Sequence, residues 1–302
     1  MDFQYYIWRR RFESYERLRA LSSQKFPRHP LVEVFGYRYD DFSDGAVEHR
    51  RNRLCPYNNK IAKCTKDKKA NPLGVCSIFD NRTGDLAVIC PIRLREDWLI
   101  IKHAAEFFFP AGAKWTFLPE IRLKDAGGKS AGNIDIVLVS LDDRGKILDF
   151  GALEVQSVYI SGNIRNPYEA YIAHPEEKHN MDWADQPNYP RPDYLSSSRK
   201  RLLPQLVYKG KILQTWGKKI AVVIHTGFYA TLPELSTVPR EKADIAWLVY
   251  DLFFESETGR YELRRSRTVY TPFEAALTTI TTSSAGSMEG FKKSLQAKLD
   301  AL

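Results

Sequence analysis

The chain has 302 residues, of which 43% are hydrophobic and 27% charged, a balance that excludes a disordered chain and a miniature scaffold and leaves one large domain or two moderate ones. The longest apolar stretches, Trp98 to Phe109 and Ile220 to Ile224, fall far short of the ~20 apolar residues of a bilayer span. The net charge of +8 points to a polyanionic partner, and the stretch from Arg191 to Lys219, with eight basic residues against one acid, carries +7 of it.

MDFQYYIWRRRFE sets aromatics ahead of arginines with no apolar h-region, the reverse of a secretory signal, so a cytoplasmic location is expected. Residues 1–30 read as mostly helix, aromatics and leucines on one side and arginines on the other, ending before Pro27 and Pro30. From Tyr37 to Ile92 the chain is rich in Asn, Lys, Asp and Gly and punctuated by Pro56, Pro72 and Pro91, so regular structure there is expected to be sparse. REDWLIIKHAAEFFF, Arg95 to Phe109, has helical apolar spacing and stops at Pro110 and Gly112.

The periodicity then changes. Trp115 to Leu123, Asn133 to Leu141 and Lys146 to Val155 are apolar runs of strand length separated by turn sequences, a three-strand meander. Residues 156–190 read as a long loop, and Arg191 to Trp216 resumes helical character. Lys218 to Phe228 and Ile245 to Glu255 are further strands, Tyr261 to Val269 an edge strand, and Phe273 to Leu302 one or two helices. The expected architecture is an α/β core with a mixed central sheet flanked by helices.

Two groups of residues carry chemistry. All four cysteines, Cys55, Cys64, Cys76 and Cys90, fall within 36 residues, separated by eight, eleven and thirteen residues. Clustered thiols in a reducing compartment point to a metal site more than to disulfides; four buried inert thiols are the alternative. A tetrahedron of four sulfurs suits iron and zinc alike.

The second group lies in the meander. Asp135 sits between Ile134 and Ile136, and Glu154 in LEVQ, both in strand runs where apolar residues are the norm. Burying such charges is costly unless a cation offsets them, so an acid in each of two adjacent strands suggests a divalent metal site. Alternation puts Glu154 and Gln156 on one face, giving the constellation D…ExQ. Glu120 in the preceding strand is a possible third acid and Glu106 a weaker fourth. His174, His179 and His225 read as structural.

Acids on consecutive strands after a helix, followed by a basic segment, resemble the PD-(D/E)xK nuclease core. LCPYNN, KCTK, GVCS and AVICPIR, then FLPEIRLKDAGGKSAGNIDIVLVSL and LEVQ, resemble more closely the NotI family of type II restriction endonucleases, over roughly residues 30–230. The resemblance implies a nuclease-like core at residues 94–302 with DNA-recognition insertions, a rubredoxin-like subdomain at 37–93 and an N-terminal helical segment at 1–36. It also implies Cys55, Cys64, Cys76 and Cys90 on a structural iron, zinc being possible, and Asp135 and Glu154 on Mg²⁺, with Gln156 in the place usually held by Lys and Glu120 auxiliary. NID replaces PD, so no proline precedes Asp135.

The implied activity is Mg²⁺-dependent double-strand cleavage of a G/C-rich palindrome centred on GGCC, leaving 5′ overhangs, by a homodimer acting on double-stranded DNA. Guanine readout favours Arg or Lys in the major groove. Arg199, Lys200 and Arg201 are the first candidates, with Arg165 and Asn166 second. On the residues alone, a non-catalytic metal-containing DNA-binding protein and a structure-specific repair nuclease of the same core stay open.

Overall fold

The computed structural model describes residues 28–68, 70–282 and 285–301; the expected N-terminal helix falls mostly outside them. The chain divides into two compact units: one takes the chain up to Glu96, with Val158–Asp193 and Leu252–Glu262, and the other takes Asp97–Ser157, Tyr194–Asp251 and the chain from Leu263.

The first unit is built on a four-stranded antiparallel sheet of β1 (Leu31–Val34), β2 (Tyr37–Arg38), β3 (Val75–Phe79) and β4 (Leu86–Val88), in the order β2-β1-β3-β4. Phe35 and Gly36 make the β1–β2 turn, with φ of 52° and 84°, the positive pair a two-residue hairpin needs. A Cβ at Gly36 would lie 2.3 Å from Pro56 Cγ, so this position admits only glycine.

Helix α1 (Asp44–Asn52) follows, with Ser43 Oγ accepting from Ala46 N–H at the start and Arg53 left-handed at the end. The residues from 37 to 92 thus hold more regular structure than their composition suggests. Caps and short hairpins define it where no apolar stripe does.

The expected loop at 156–190 also differs. It contains β8 (Tyr159–Ser161), α3 (Arg165–Ala173) and the short α4 (Pro175–Lys178). β8 pairs with β9 (Arg191–Asp193), and Tyr168 and Tyr171 bury the inner face of α3.

The second unit carries a six-stranded mixed sheet ordered β12-β11-β10-β7-β6-β5. β5 (Trp115–Lys124), β6 (Ser130–Leu141) and β7 (Ile147–Gln156) form the expected antiparallel meander. β10 (Ile220–His225) pairs parallel with both β7 and β11 (Ile245–Glu255), and β12 (Arg260–Thr271) closes the edge. β10 is buried throughout, as a central strand covered on both faces must be.

The helix expected at 95–109 begins later. Asp97 and Trp98 take left-handed φ of 47° and 54°, which separates a 3₁₀ stretch, Arg93–Trp98, from α2 (Leu99–Phe108). α2 lies close on β7, where a Cβ at Gly151 would come 2.5 Å from the Phe108 ring.

Helix α5 spans 194–215 with π-helical turns at Ser198–Leu202 and Leu206–Gly210. After it come α6 (Thr226–Tyr229), α7 (Phe273–Thr281) and α8 (Met288–Leu299). No helix among the described residues is long and apolar enough to cross a membrane.

Candidate active site

The β6–β7 pairing runs from Leu141 opposite Ile147 to Ile136 opposite Leu153. One residue beyond, a side chain takes over: Asp135 Oδ2 accepts the Val155 N–H at 2.8 Å. This bond fixes Asp135 against β7 beside Glu154.

Glu154 is 4% exposed. Its Oε1 lies 2.6 Å from Lys209 Nζ, and neither carboxylate oxygen accepts a well-aligned hydrogen bond. Burial first, then the neighbouring Asp135 carboxylate, pushes its pKa up to about 8 against the pull of Lys209. Two carboxylates that cannot both ionise comfortably are a centre where cation binding would displace a proton.

Gln156, also buried, lies two residues on and so on the same face of β7. Its Nε2 donates to Ser157 O at 2.9 Å, which leaves Oε1 as the amide's acceptor for another group. Glu120 does not join the pair. The register, Pro119 opposite Ile136 and Ile121 opposite Ile134, sets it across from Asp135, but with φ of 57° on the exposed edge strand its side chain is left at the surface. Glu106 is engaged elsewhere, 3.2 Å from Arg265.

Lys209 escaped the sequence reading, where it counted only as one charge of the basic segment. Its ammonium lies 2.7 Å from Asn133 O and 3.2 Å from Gln205 Oε1, as well as against Glu154. A signal was present: Leu202, Leu206, Lys209 and Leu213 form one helical stripe, and all four are buried. A cation in an apolar stripe needs a buried acidic partner, and Glu154 is that partner.

Arg199, Lys200 and Arg201 are exposed on the first π-helical turn of α5, in the same unit as the acid pair. Arg165 and Asn166, at the start of α3, belong to the first unit. Arg165 is held there by Asp67, with Glu169 3.5 Å away, whereas Asn166 is exposed.

The four cysteines, none in a disulfide, line one cavity of about 10 Å³ in the first unit, room for a single water-sized sphere. Backbone bonds gather their loops: Cys64 N–H to Arg53 O at 2.9 Å, Cys55 N–H to Ala62 O at 2.7 Å and Ile89 N–H to Cys76 O at 3.0 Å. Burial pushes the Cys55 thiol up to about 11 and raises those of Cys64 and Cys76.

The Lys66 ammonium reaches into the same wall. It donates to Val75 O at 2.9 Å and Ile89 O at 3.1 Å, the carbonyls that precede Cys76 and Cys90. Among the described residues no group of three or more His, Cys, Asp or Glu is drawn together as a ready-made ligand set. The four thiols share a cavity without converging on one point, and the acids that meet are the pair Asp135 and Glu154.

Comparison with known families matches residues 33–263 to the family described as restriction endonuclease NotI. Comparison with curated proteins finds no match.

Proposed function

The chain belongs to the NotI restriction endonuclease family and is a site-specific deoxyribonuclease, and from that premise we propose that it makes Mg²⁺-dependent double-strand cuts at a G/C-rich palindrome. The observation that carries this reading is the pair Asp135 and Glu154, joined across β6 and β7 with the Glu154 carboxylate buried and short of hydrogen-bond partners. These hard oxygen donors fit Mg²⁺, which when bound supplies an acidified water and neutralises charge gathering on the phosphate.

The chain's own groups do the rest. A water oxygen bonds to phosphorus and the bond to the 3′ oxygen breaks, leaving a 5′-phosphate and a 3′-hydroxyl. An amide takes no proton at neutral pH, so Gln156 orients that water by accepting from it at Oε1, the oxygen that its bond to Ser157 leaves available. The water's proton passes to solvent.

The core is read as a PD-(D/E)xK nuclease core, with Glu120 as an auxiliary acid at its edge. Arg199, Lys200 and Arg201 on α5, with Arg165 and Asn166, are proposed to contact DNA. The chain looks most like the family's shorter member, EagI, and the proposed site is CGGCCG cut to leave 5′ overhangs. A palindrome is two-fold symmetric, so a homodimer would place one acid pair on each strand. The four thiols, which line one small cavity, would have to draw together to hold the structural iron proposed for them, with zinc as the other metal such a set accepts; when bound it would hold the thiols deprotonated and crosslink their loops, with Lys66 supplying a nearby positive charge.

The test is incubation of purified protein with long DNA of known sequence in Mg²⁺, in Ca²⁺ and in EDTA, beside Glu154→Ala. Discrete fragments with 5′ overhangs at CGGCCG that require both Mg²⁺ and Glu154 are expected. Cleavage at junctions or flaps whatever the sequence would favour a repair nuclease, and binding without cleavage a DNA-binding protein.

A further inference from the structure

Charge builds on the non-bridging phosphate oxygens as phosphoryl transfer proceeds, and a fixed cation aimed at them is among the most effective devices a site can hold. The strand that carries Glu154 provides none, because Gln156 stands where an ExK strand would have its lysine. The second unit nevertheless places an ammonium at this centre, from a different element. Lys209 comes from the second π-helical turn of α5, and its Nζ has Glu154 Oε1 at 2.6 Å, Asn133 O at 2.7 Å and Gln205 Oε1 at 3.2 Å. Asn133 O and Gln205 Oε1 take two of the ammonium's three donors and hold the group in place inside the site, while its close contact with Glu154 is not a well-aligned hydrogen bond.

The position is built in. Asn133 lies two residues before Asp135 on β6, so the carbonyl that fixes Nζ belongs to the strand that carries the first acid. Next to Lys209, Gly210 has no side chain, and a Cβ there would come 2.6 Å from the Phe273 ring. Glycine lets α5 lie against α7 at this level, which seats the lysine. The Lys209 side chain is 7% exposed, too buried to be a general surface contact for DNA.

Resting on the reading of Asp135 and Glu154 as the cleavage centre, we propose that Lys209 is the catalytic lysine of this enzyme, delivered by α5 to the place vacated by Gln156. The donor that its bonds to Asn133 O and Gln205 Oε1 leave over is given to a non-bridging oxygen of the scissile phosphate. The ammonium takes no proton from the attacking water, and the leaving 3′ oxygen is protonated by solvent. The same helix carries Arg199, Lys200 and Arg201 two to three turns earlier, so whatever positions those residues on DNA also positions Lys209.

The experiment compares full-length Lys209→Met, Lys209→Gln and the double variant Lys209→Met with Gln156→Lys. Cleavage of a CGGCCG duplex is measured under single-turnover conditions in Mg²⁺, and binding to the same duplex in Ca²⁺. Either single variant is expected to slow cleavage about 100- to 1,000-fold while the Kd in Ca²⁺ stays within about threefold. The double variant is expected to regain at least about tenfold over Lys209→Met, because it returns an ammonium to the strand.

A structural counter-ion for Glu154 would give other results. Cleavage within about threefold of wild type, a loss that follows weakened binding, or a double variant no faster than Lys209→Met would each overturn the proposal. Should Lys209→Met fail to fold with Glu154 left unpaired, Lys209→Gln, which keeps a donor for Asn133 O, decides the matter. A wild-type protein that binds the duplex and never cuts it would remove the cleavage-centre reading itself, and with it this role.

Discussion

The Arg93 and Glu33 pair allows the strongest quantitative test of the first unit. Both side chains are sealed from solvent, at 0% and 1% exposure. Arg93 Nε donates to Glu33 Oε1 and Oε2 at 3.0 and 3.1 Å, Nη1 to Glu96 Oε2 at 2.9 Å and Nη2 to Tyr261 O at 2.8 Å. The guanidinium carbon stands 4.2 Å from the centre of the Tyr57 ring, and Ser77 Oγ donates to Glu33 Oε2 at 2.7 Å. Such a satisfied network adds little over an apolar core, but removing one partner leaves a buried charge alone. Arg93→Met strands Glu33, with Ser77 as its main remaining donor, and leaves Tyr261 O without this partner, a cost of about 3–5 kcal/mol. With m near ~2 kcal/mol/M, the urea midpoint of the transition that unfolds this unit should fall by about 2 M. Arg93→Met combined with Glu33→Gln removes the stranded charge and should recover about half of the loss. A drop under about 0.5 M for the single variant would refute the reasoning, and an equally large drop in the double variant would assign the cost to packing rather than charge.

Three further outcomes are open to simple assays. His29, stacked on Tyr39 at 4.0 Å and edge-on to Tyr171, has its pKa pushed down to about 4, chiefly by burial and against the pull of the Leu31 and Lys178 backbone and of Asp40, with His179 adding a small push down. Its neutral form is the one that folds, so its contribution is fully present above pH 6.5 and about 3 kcal/mol is lost as pH falls to 4; urea midpoints at pH 7, 6 and 5 should show this leg in wild type and a flatter one in His29→Gln. Gly151→Ala drives a methyl to 2.5 Å from the Phe108 ring and should cost about 1–3 kcal/mol, seen as a lower thermal midpoint; an unchanged midpoint would mean that α2 shifts freely on β7. Cys76→Ser should reduce iron or zinc from about one equivalent per chain to a small fraction by elemental analysis, and equal metal in both proteins would exclude Cys76 as a ligand.

The meander was legible because its signals are local. Alternating and continuous apolar runs set the limits of β5, β6 and β7 to within a few residues, and Asp135 and Glu154 stood out as charges inside them. Their meeting also followed, since adjacent antiparallel strands fix which residues face each other. The four-stranded sheet was not legible: β2 is two residues long and β4 three, and β1 pairs with β3 across more than forty residues. Helix α1 has no apolar stripe and depends on its caps. Asp97 and Trp98 take left-handed conformations that neither residue type announces. Lys209 was missed for a further reason: a charge count treats every lysine as solvated, and only the buried stripe around this one marks it as different.

That distinction changes how the basic stretch from Arg191 to Lys219 is understood. In sequence it is one +7 patch, but in the fold much of the charge is engaged by groups of the protein itself. Lys209 is buried on Glu154, Lys211 pairs with Glu274, Lys218 lies 2.5 Å from Asp149, and Lys219 sits over the Phe107 ring. Arg199, Lys200 and Arg201 point outward on one turn. Attraction to DNA phosphates releases counterions in proportion to the charges that actually meet phosphate, so the dependence of log Kd on log salt counts them. Replacing Lys211 or Lys218 by Met should therefore leave that slope within about 0.3 of wild type, whereas Arg199→Ala or Lys200→Ala should reduce it by about 1 if the residue meets phosphate. A variant in this turn that instead keeps the slope but loses discrimination at one base pair identifies a base-reading residue. Equal slopes and equal discrimination in all of these variants would show that DNA lies against a different face of the chain.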